Sequence, residues 1–142
     1  MPKRNKYNAK KTLVDGIVFA SAAEAHRYKE LKLLERAGEI SDIRLQVPYV
    51  FTLKGKKIFT YYADFVYAKY RQQTLAVIIE LIVEDVKSKI TCRIPIYRLK
   101  KKLIEAQYNI VIREVYWYNI LMDIKAKDGR GRHGNWEDFG GN

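Results

Sequence analysis

Apolar residues recur at helical spacing between Ser21 and about Ala37. Ser21 and Glu24 have the spacing of a capping box at the start of this segment, and Gly38 is a typical helix stop. The pattern therefore predicts a helix with one buried face. The apolar stripe on that face consists of Tyr28, Leu31 and Leu34.

Four further segments have the residue patterns of β-strands. They are Ile43 to Leu53, Ile58 to about Ala68, Leu75 to Lys87, and Ile110 to about Leu121. Pro48 favours an edge or bulge position for the first strand, because proline has no N–H to donate to a strand ladder. A turn at Gly55 joins the first two strands, and a turn near Arg71–Thr74 leads into the third.

A second helix is predicted from Pro95, which suits a first helical turn, to about Gln107. Its packed face would consist of Ile96, Leu99, Leu103 and Ala106, with Lys100 at the edge. The order of elements is then α-β-β-β-α-β. A three-strand meander followed by a helix and a returning strand predicts an α/β fold, in which helices flank a mixed β-sheet.

The two ends of the chain differ from this core in composition. Residues 1–11 are rich in lysine and arginine without apolar periodicity, and we expect a flexible basic arm. Residues 123–142 hold five of the eight glycines, and we expect a glycine-rich flexible tail. The folded domain is predicted to occupy residues 12–122.

The balance of charge favours a polyanionic partner. The 142 residues include 27 Lys and Arg against 16 Asp and Glu, a formal net charge of +11. Nucleic acid is the commonest partner of a folded domain this basic. The charge says nothing about catalysis, and a basic surface that binds no phosphate stays an alternative.

Cysteine, histidine and hydropathy exclude several classes of protein. Cys92 is the one cysteine of the sequence, which excludes an internal disulfide and a cysteine-based zinc site, and we expect a buried, inert thiol. His26 and His133 lie far apart and form no ligand pattern. The longest apolar stretch, Leu75–Val83, contains Glu80 and is too short to span a bilayer. The N-terminus lacks the apolar run of a signal peptide, so we expect a cytoplasmic protein without a membrane partner.

The third strand has an apolar stripe on one face, formed by Leu75, Val77, Ile79, Leu81 and Val83, and it ends in Asp85-Val86-Lys87. Because side chains alternate along a strand, Asp85 and Lys87 continue the face of Val83, and Glu84 points to the opposite face. Two interpretations are open. The pair is a surface ion pair of little energetic weight, or Asp85 binds a divalent cation while Lys87 faces a scissile phosphate or the attacking water.

Two further acids make the second interpretation possible. Asp64 lies in a strand among aromatic and small residues. It is either a strand-end acid that is exposed to water or paired with a nearby lysine, or an enclosed carboxylate, which is costly and needs a cation, a metal or hydrogen-bond donors. The meander makes its strand a neighbour of the third strand, which would bring Asp64 close to Asp85. Glu24 lies in line with the buried stripe of the first helix, so it serves as a capping residue, as support for a metal site, or as both.

Basic residues cluster in the second helix and in the N-terminal arm. They are suited to contacts with phosphate, although a solvated helix face and a solubilising arm account for them equally well. The candidate DNA-binding residues are Lys10, Lys11, Arg98, Lys100, Lys101 and Lys102, and among the last four Arg98, Lys101 and Lys102 are expected to point outward.

The assembled motifs resemble the PD-(D/E)xK nuclease superfamily, and more narrowly small phage-encoded endodeoxyribonucleases related to Holliday-junction resolvases. The resemblance covers roughly residues 7–116. Its motifs are Lys10-Lys-Thr-x-x-Asp-Gly16, Phe19-x-Ser-x-x-Glu-Ala-x-Arg-Tyr28, Leu31-Lys-Leu-Leu-Glu-x-x-Gly-Glu-Ile40, Tyr62-Ala-Asp-Phe65, Val83-Glu-Asp-Val-Lys87 and Tyr97-x-x-Lys-x-Lys-x-Leu.

The resemblance implies a restriction-endonuclease-like core, a Mg²⁺ or Mn²⁺ cofactor and a homodimer. By this analogy Glu24, Asp64, Asp85 and Lys87 are the catalytic residues. The three acids among them are the metal ligands, and Lys100 reaches toward the phosphate. The sequence departs from the family pattern at Ser88, where glycine is expected, and in a third strand that is longer at its start.

Together these features predict a metal-dependent endonuclease that hydrolyses DNA phosphodiester bonds. A four-way junction as substrate, and a phage protein acting in the bacterial cytoplasm, follow from the resemblance alone. Two alternatives stay open. One is a nuclease that cuts linear or single-stranded DNA, and the other is a non-catalytic basic module that binds nucleic acid.

Overall fold

The computed structural model of the chain describes residues 10–116. Most of the predicted basic arm and the whole predicted tail lie outside the described residues, as does the predicted continuation of the last strand to Leu121. The boundaries of the predicted arm, domain and tail therefore stay predictions.

The predicted order of helices and strands is confirmed, and one hairpin precedes it. The elements are β1 (Thr12–Val14), β2 (Ile17–Phe19), α1 (Ala22–Arg36), β3 (Ile40–Leu53), β4 (Lys56–Gln73), β5 (Ala76–Lys87), a 3₁₀ turn (Thr91–Arg93), α2 (Pro95–Tyr108) and β6 (Ile112–Tyr116). The hairpin of β1 and β2 was not predicted, although Asp15-Gly16 is a strong hairpin signal. Both residues have positive φ angles, 50° and 77°, as a type I′ turn requires.

The four longer strands form one mixed sheet in the order β3-β4-β5-β6. The meander β3-β4-β5 is antiparallel, and β6 lies parallel to β5. Pro48 lies in β3, which is an edge strand among the described residues, as predicted. The α/β fold with a mixed sheet and flanking helices is therefore confirmed.

The two helices cover opposite faces of the sheet. Buried residues between α1 and the sheet form the α1 core, and buried residues between α2 and the sheet form the α2 core. The α1 core includes Phe19, Tyr28, Leu31, Phe65, Ile82 and Val86. The α2 core includes Tyr61, Ala63, Val66, Val83, Ile104 and Ile112. Neighbouring residues of β5, such as Ile82 and Val83, are divided between the two cores because their side chains alternate.

At one level of the sheet, the inward-facing side chains of both β3 and β4 change from one face of the sheet to the other. Leu45 on β3 pairs with Phe65 on β4, and both pack in the α1 core. Two residues farther along each strand, Val47 pairs with Ala63, and both pack in the α2 core. Positions two apart in a regular strand share a face. The faces therefore reverse at the two residues in between, which are Gln46 and Asp64.

The far half of the β4–β5 hairpin projects from the sheet, which corrects the predicted turn and apolar stripe. Arg71–Gln73 belong to β4, and the turn consists of Thr74 and Leu75. Of the predicted stripe on β5, Val83 is buried, whereas Val77, Ile79 and Leu81 are 58%, 65% and 54% exposed. Among the described residues, β6 pairs with β5 from Val83 onward and β3 pairs with β4 up to Lys69, so both edges of the projecting half are uncovered.

Helix α2 packs on a different face from the one predicted. Ile104 is fully buried and Tyr97 packs against the α2 core, whereas Ile96, Leu99 and Ala106 are exposed. Contacts at both ends of the helix fix its rotation. The Tyr97 hydroxyl donates to Glu114 on β6 at 3.1 Å, and the Tyr108 hydroxyl donates to the Val50 carbonyl on β3 at 2.9 Å. The apolar stripe inferred from the sequence of this helix did not include Tyr97 or Tyr108, whose hydroxyls make these contacts.

A buried ion pair ties α1 to β5. Glu84 is 3% exposed and points to the α1 side of the sheet, as its position in the strand predicts. The Arg27 guanidinium donates to both of its oxygens at 2.9 and 2.8 Å, and the Tyr67 hydroxyl donates at 2.5 Å. A two-pronged contact of this kind fixes the helix against the strand that carries Asp85 and Lys87.

Removing one partner of this pair is expected to destabilise the protein strongly. Arg27→Met or Glu84→Gln should each lower the free energy of unfolding by about 3 kcal/mol, because the remaining group stays buried without its partner. Urea unfolding of the two variants and of the double variant measures the coupling between the residues. The matched control is Glu80→Gln on the same strand, whose partner Arg113 is 44% exposed, and it should cost less than about 0.5 kcal/mol. Equal losses in Glu84→Gln and Glu80→Gln would contradict this assignment.

Candidate active site

The candidate site lies where β4 and β5 separate. Pairing of the two strands ends at Phe65 and Glu84. One residue farther, the carboxylate of Asp64 accepts a hydrogen bond from the Val86 backbone N–H at 2.8 Å. A side chain thus takes the place of a backbone partner in the ladder, and the strands diverge around the acid.

Asp85 is the most deeply buried acid of the site, at 1% exposure. Its Oδ1 accepts from the Lys87 ammonium at 2.9 Å, and its Oδ2 accepts from the Tyr61 hydroxyl. The predicted shared face of Asp85 and Lys87 is confirmed. The alternative of a surface ion pair fits only the pairing and not the exposure, since the two charges are in contact but Lys87 is 19% exposed and Asp85 is buried.

Two tyrosines complete the surroundings of Asp85. The Lys87 ammonium lies 4.8 Å from the centre of the Tyr97 ring, close enough for a cation–π contact. Burial raises the pKa of both Tyr61 and Tyr97, and the negative charge of Asp85 raises each further. Both phenols therefore stay protonated at neutral pH and act as donors.

Glu24 has the predicted capping role and also lies in the cleft beside Asp64. Ser21 is the N-cap of α1, and its hydroxyl accepts from the Glu24 backbone N–H at 3.2 Å and donates to the Glu24 carboxylate at 3.0 Å. The same side chain lines a cleft together with Asp64, Phe19, Leu45 and Gln46. Burial raises the pKa of Glu24, while the nearby Lys87 lowers it. The first-helix acid therefore faces the level at which β4 and β5 separate.

The acids influence one another electrostatically. Burial, together with the charges of Asp85 and Glu24, raises the pKa of Asp64 to about 7. Lys87 acts in the opposite direction. One cation shared among three partly buried acids leaves excess negative charge, which a divalent cation is suited to neutralise.

The donor set fits a hard cation only in part. Within residues 10–116, no group of three or more His, Cys, Asp or Glu side chains is assembled as a metal site. Asp64 and Asp85 are nevertheless adjacent, and each carboxylate oxygen retains acceptor capacity beside the hydrogen bond it accepts. Mg²⁺ is commonly held by one or two carboxylates and several waters, so these two acids are the residues that suit it.

The predicted DNA-binding residues do not form one outward surface. Lys10, Lys11, Arg98 and Lys102 are exposed. Lys100 is half-buried, and its ammonium lies 5.3 Å from the centre of the Phe59 ring. The prediction that Lys101 points outward is wrong, since its ammonium lies 3.2 Å from Glu114 and 3.9 Å from Glu105. Acids on α2 and β6 thus neutralise part of the basic helix.

Three residues that contact the charged site were not predicted from the sequence. Tyr61 contacts Asp85 through its hydroxyl, and Tyr97 contacts Lys87 through its ring. Gln46 donates its Nε2–H to Asp64 Oδ1 at 2.9 Å, and no sequence motif marked it. Cys92, expected to be buried, is half-buried, and its thiol donates to the Lys89 carbonyl.

Asp64→Asn is expected to weaken the pH dependence of folding stability. The pKa of Asp64 is about 7 in the folded protein against 3.8 in the unfolded chain, so the wild type loses stability as pH rises between these values. Without divalent cations, the variant should gain about 1 to 2 kcal/mol over the wild type between pH 4 and pH 8. Urea unfolding at both pH values measures this. Asp42→Asn, an exposed acid on β3, is the control, and a wild-type pH dependence in Asp64→Asn would contradict the assignment.

Comparison with known proteins places the chain in a family. No curated protein and no solved structure matches it. Among residues 10–116, neither helix is long and apolar enough to cross a bilayer. A family model described as "Protein of unknown function (DUF1064)" matches residues 4–125. Since this match spans most of the chain, the protein belongs to the DUF1064 family.

Proposed function

We propose that the protein is a metal-dependent endodeoxyribonuclease of the PD-(D/E)xK type. The observation that carries the proposal is the meeting of Asp64, Asp85 and Lys87 where β4 and β5 separate. Two carboxylates and a lysine at one level of a sheet match the needs of phosphodiester hydrolysis. The carboxylates supply oxygen ligands, and the lysine supplies a positive charge near the reacting phosphate.

In this proposal Asp64 and Asp85 hold Mg²⁺ or Mn²⁺, with Glu24 assisting from α1. The bound ion supplies Lewis-acid activation of the phosphate and of a water molecule. Lys87 in the described state holds Asp85 by a 2.9 Å hydrogen bond. With a metal ion held by the acids, the Lys87 ammonium would be available to orient water and to stabilise negative charge on the phosphate.

DNA reaches this site over a basic protein surface. The net charge of +11 supports binding to a polyanion, and Arg98 and Lys102 on α2 are exposed. We assign Lys10 and Lys11 to the same phosphate contacts, whereas Lys100 and Lys101 hold α2 in place through Phe59 and Glu114.

A four-way junction is the proposed substrate, cut by a homodimer in the cytoplasm of a bacterial host. Two opposed nicks require two active centres, which a two-fold dimer provides. The uncovered apolar face of Val77, Ile79 and Leu81 supports burial against another chain. The choice of a junction over linear DNA rests on the family resemblance.

Purified protein should cut labelled DNA in the presence of Mg²⁺ or Mn²⁺ and should not cut it in EDTA. Four-way junction, linear duplex and single strand are incubated in parallel, and the products are separated on denaturing gels. Asp85→Asn should lower the cleavage rate by at least about 100-fold, because it removes a charged ligand of the ion. Preferential cutting of the junction supports the resolvase assignment, and preferential cutting of the other substrates supports a nuclease of the same class with a different substrate.

The matched control for this experiment is Glu80→Gln. Glu80 lies on the same strand, half-exposed, and its partner is Arg113 rather than a residue of the site. It should retain wild-type cleavage. Absence of metal-dependent cleavage of every DNA, or full activity in Asp85→Asn, would reject the nuclease.

Lys87→Met is expected to separate catalysis from metal binding. The variant should cut DNA roughly 100-fold more slowly at saturating metal, because it lacks the positive charge beside the phosphate. Its Mn²⁺ affinity should equal or exceed that of the wild type, since Asp85 no longer shares its oxygen with an ammonium. Single-turnover cleavage and Mn²⁺ titration by electron paramagnetic resonance measure the two effects. Lys56→Met at the start of β4 is the control, and wild-type cleavage by Lys87→Met would remove the lysine from the proposed mechanism.

A non-catalytic nucleic-acid-binding module is the second candidate, and one observation favours it. Asp85 is almost completely buried, and both of its oxygens accept hydrogen bonds from side chains of the protein. A structural role for the acid pair accounts for these contacts. This candidate is supported by salt-sensitive DNA or RNA binding without cleavage, if Asp64→Asn and Asp85→Asn leave that binding intact or strengthen it.

A further inference from the structure

We propose that Gln46 is a positioning residue of the active site, whose side-chain amide sets the orientation of the Asp64 carboxylate. The inference rests on the proposed metal-dependent function and extends it to a residue on β3. Its basis is the 2.9 Å hydrogen bond from Gln46 Nε2 to Asp64 Oδ1, together with an unusual backbone conformation at Gln46.

Gln46 has a φ angle of +49° in the middle of a strand. This left-handed conformation is disfavoured for a residue with a Cβ and persists only where the surrounding structure enforces it. Asp42 has its positive φ at a register shift between β3 and β4, and those of Asp15, Lys54 and Asn109 belong to two hairpin turns and a helix end. No turn or helix end accounts for Gln46. Its conformation is therefore part of the local geometry of the site.

The backbone of Gln46 brings its side chain to Asp64. Regular pairing of β3 with β4 is interrupted between the pairs Leu45–Phe65 and Val47–Ala63, and both strands turn over there. The two residues at the interruption are Gln46 and Asp64. They are linked through their side chains, as the 2.9 Å hydrogen bond shows. The strained residue, Gln46, thus lies beside Asp64, the acid of the site on the neighbouring strand.

Two hydrogen bonds fix the plane of the Asp64 carboxylate. The Val86 N–H holds Oδ2 at 2.8 Å, and the Gln46 amide holds Oδ1 at 2.9 Å. Without the second donor the carboxylate is free to rotate away from the like charge of Asp85. A neutral amide suits this task because it orients the acid without cancelling the negative charge that a cation requires. A lysine or arginine at the same position would compete with the metal.

Gln46→Gly tests the inference, because glycine adopts a positive φ without strain and lacks the amide. The variant should unfold at the same temperature as the wild type or at a higher one. Its Mn²⁺ dissociation constant should rise roughly 10-fold or more, as is typical when a residue that orients a metal ligand is lost. Its cleavage rate should fall even at saturating Mn²⁺. Gain of stability with loss of affinity is a combination that a purely structural role does not produce.

Two further variants serve as controls for this test. Asp42→Gly relieves another positive φ of +55° on the same strand, at an exposed residue paired with Arg44, and should leave Mn²⁺ affinity and cleavage unchanged. Gln46→Asn keeps an amide on a shorter side chain and tolerates the left-handed conformation, so it should recover part of the affinity lost in Gln46→Gly.

The outcomes separate this inference from the proposed nuclease activity. Wild-type Mn²⁺ affinity in Gln46→Gly would overturn the positioning role, whatever the cleavage results. If the wild type binds Mn²⁺ but cuts no DNA, and Gln46→Gly binds Mn²⁺ more weakly, the positioning role stands and the nuclease assignment fails. If millimolar Mn²⁺ does not bind to the wild type at all, both proposals are overturned.

Discussion

The hydrogen bond from the Val86 N–H to the Asp64 carboxylate is the contact around which the site is organised. A backbone donor in the centre of a sheet must find an acceptor, because an unpaired buried N–H is costly. Here the acceptor is a side chain, so the β4–β5 ladder ends and the two strands separate. The opening created in this way is where Asp85 and Lys87 meet Asp64. The end of the β4–β5 ladder and the opening that holds the site therefore both follow from this hydrogen bond.

Hydrogen bonds from the rest of the fold hold the charged side chains at this opening in place. Tyr61 and Lys87 donate to Asp85, and Gln46 and Val86 donate to Asp64. On the other side of β5, the Arg27–Glu84 pair fastens α1, whose first turn carries Glu24 over the same cleft. The protein stabilises an acid cluster with neutral or shared donors.

Periodicity predicted those parts of the site that follow from regular strands. Asp85 and Lys87 share a face because side chains alternate, and the meander correctly placed the strand of Asp64 beside them. Gln46 could not be found in this way, since its positive φ interrupts the alternation from which strand faces are inferred. The rotation of α2 was missed for a different reason. Its apolar stripe suggested one packed face, while the polar hydroxyl of Tyr97 anchors another. Patterns of hydrophobicity carry little information about buried polar contacts.

The two hairpins of the meander also favour an order in which the site is assembled during folding. Each turn is two residues long, and β4 pairs continuously with β5 from Gln73–Ala76 to Phe65–Glu84. Contacts between residues near in sequence close with a small loss of chain entropy, and hairpins form within microseconds. Local hairpins therefore bring Asp64 to Gln46, 18 residues away, and to Val86 beside Asp85, 22 residues away. Glu24, which comes from α1, joins this group through contacts of longer range.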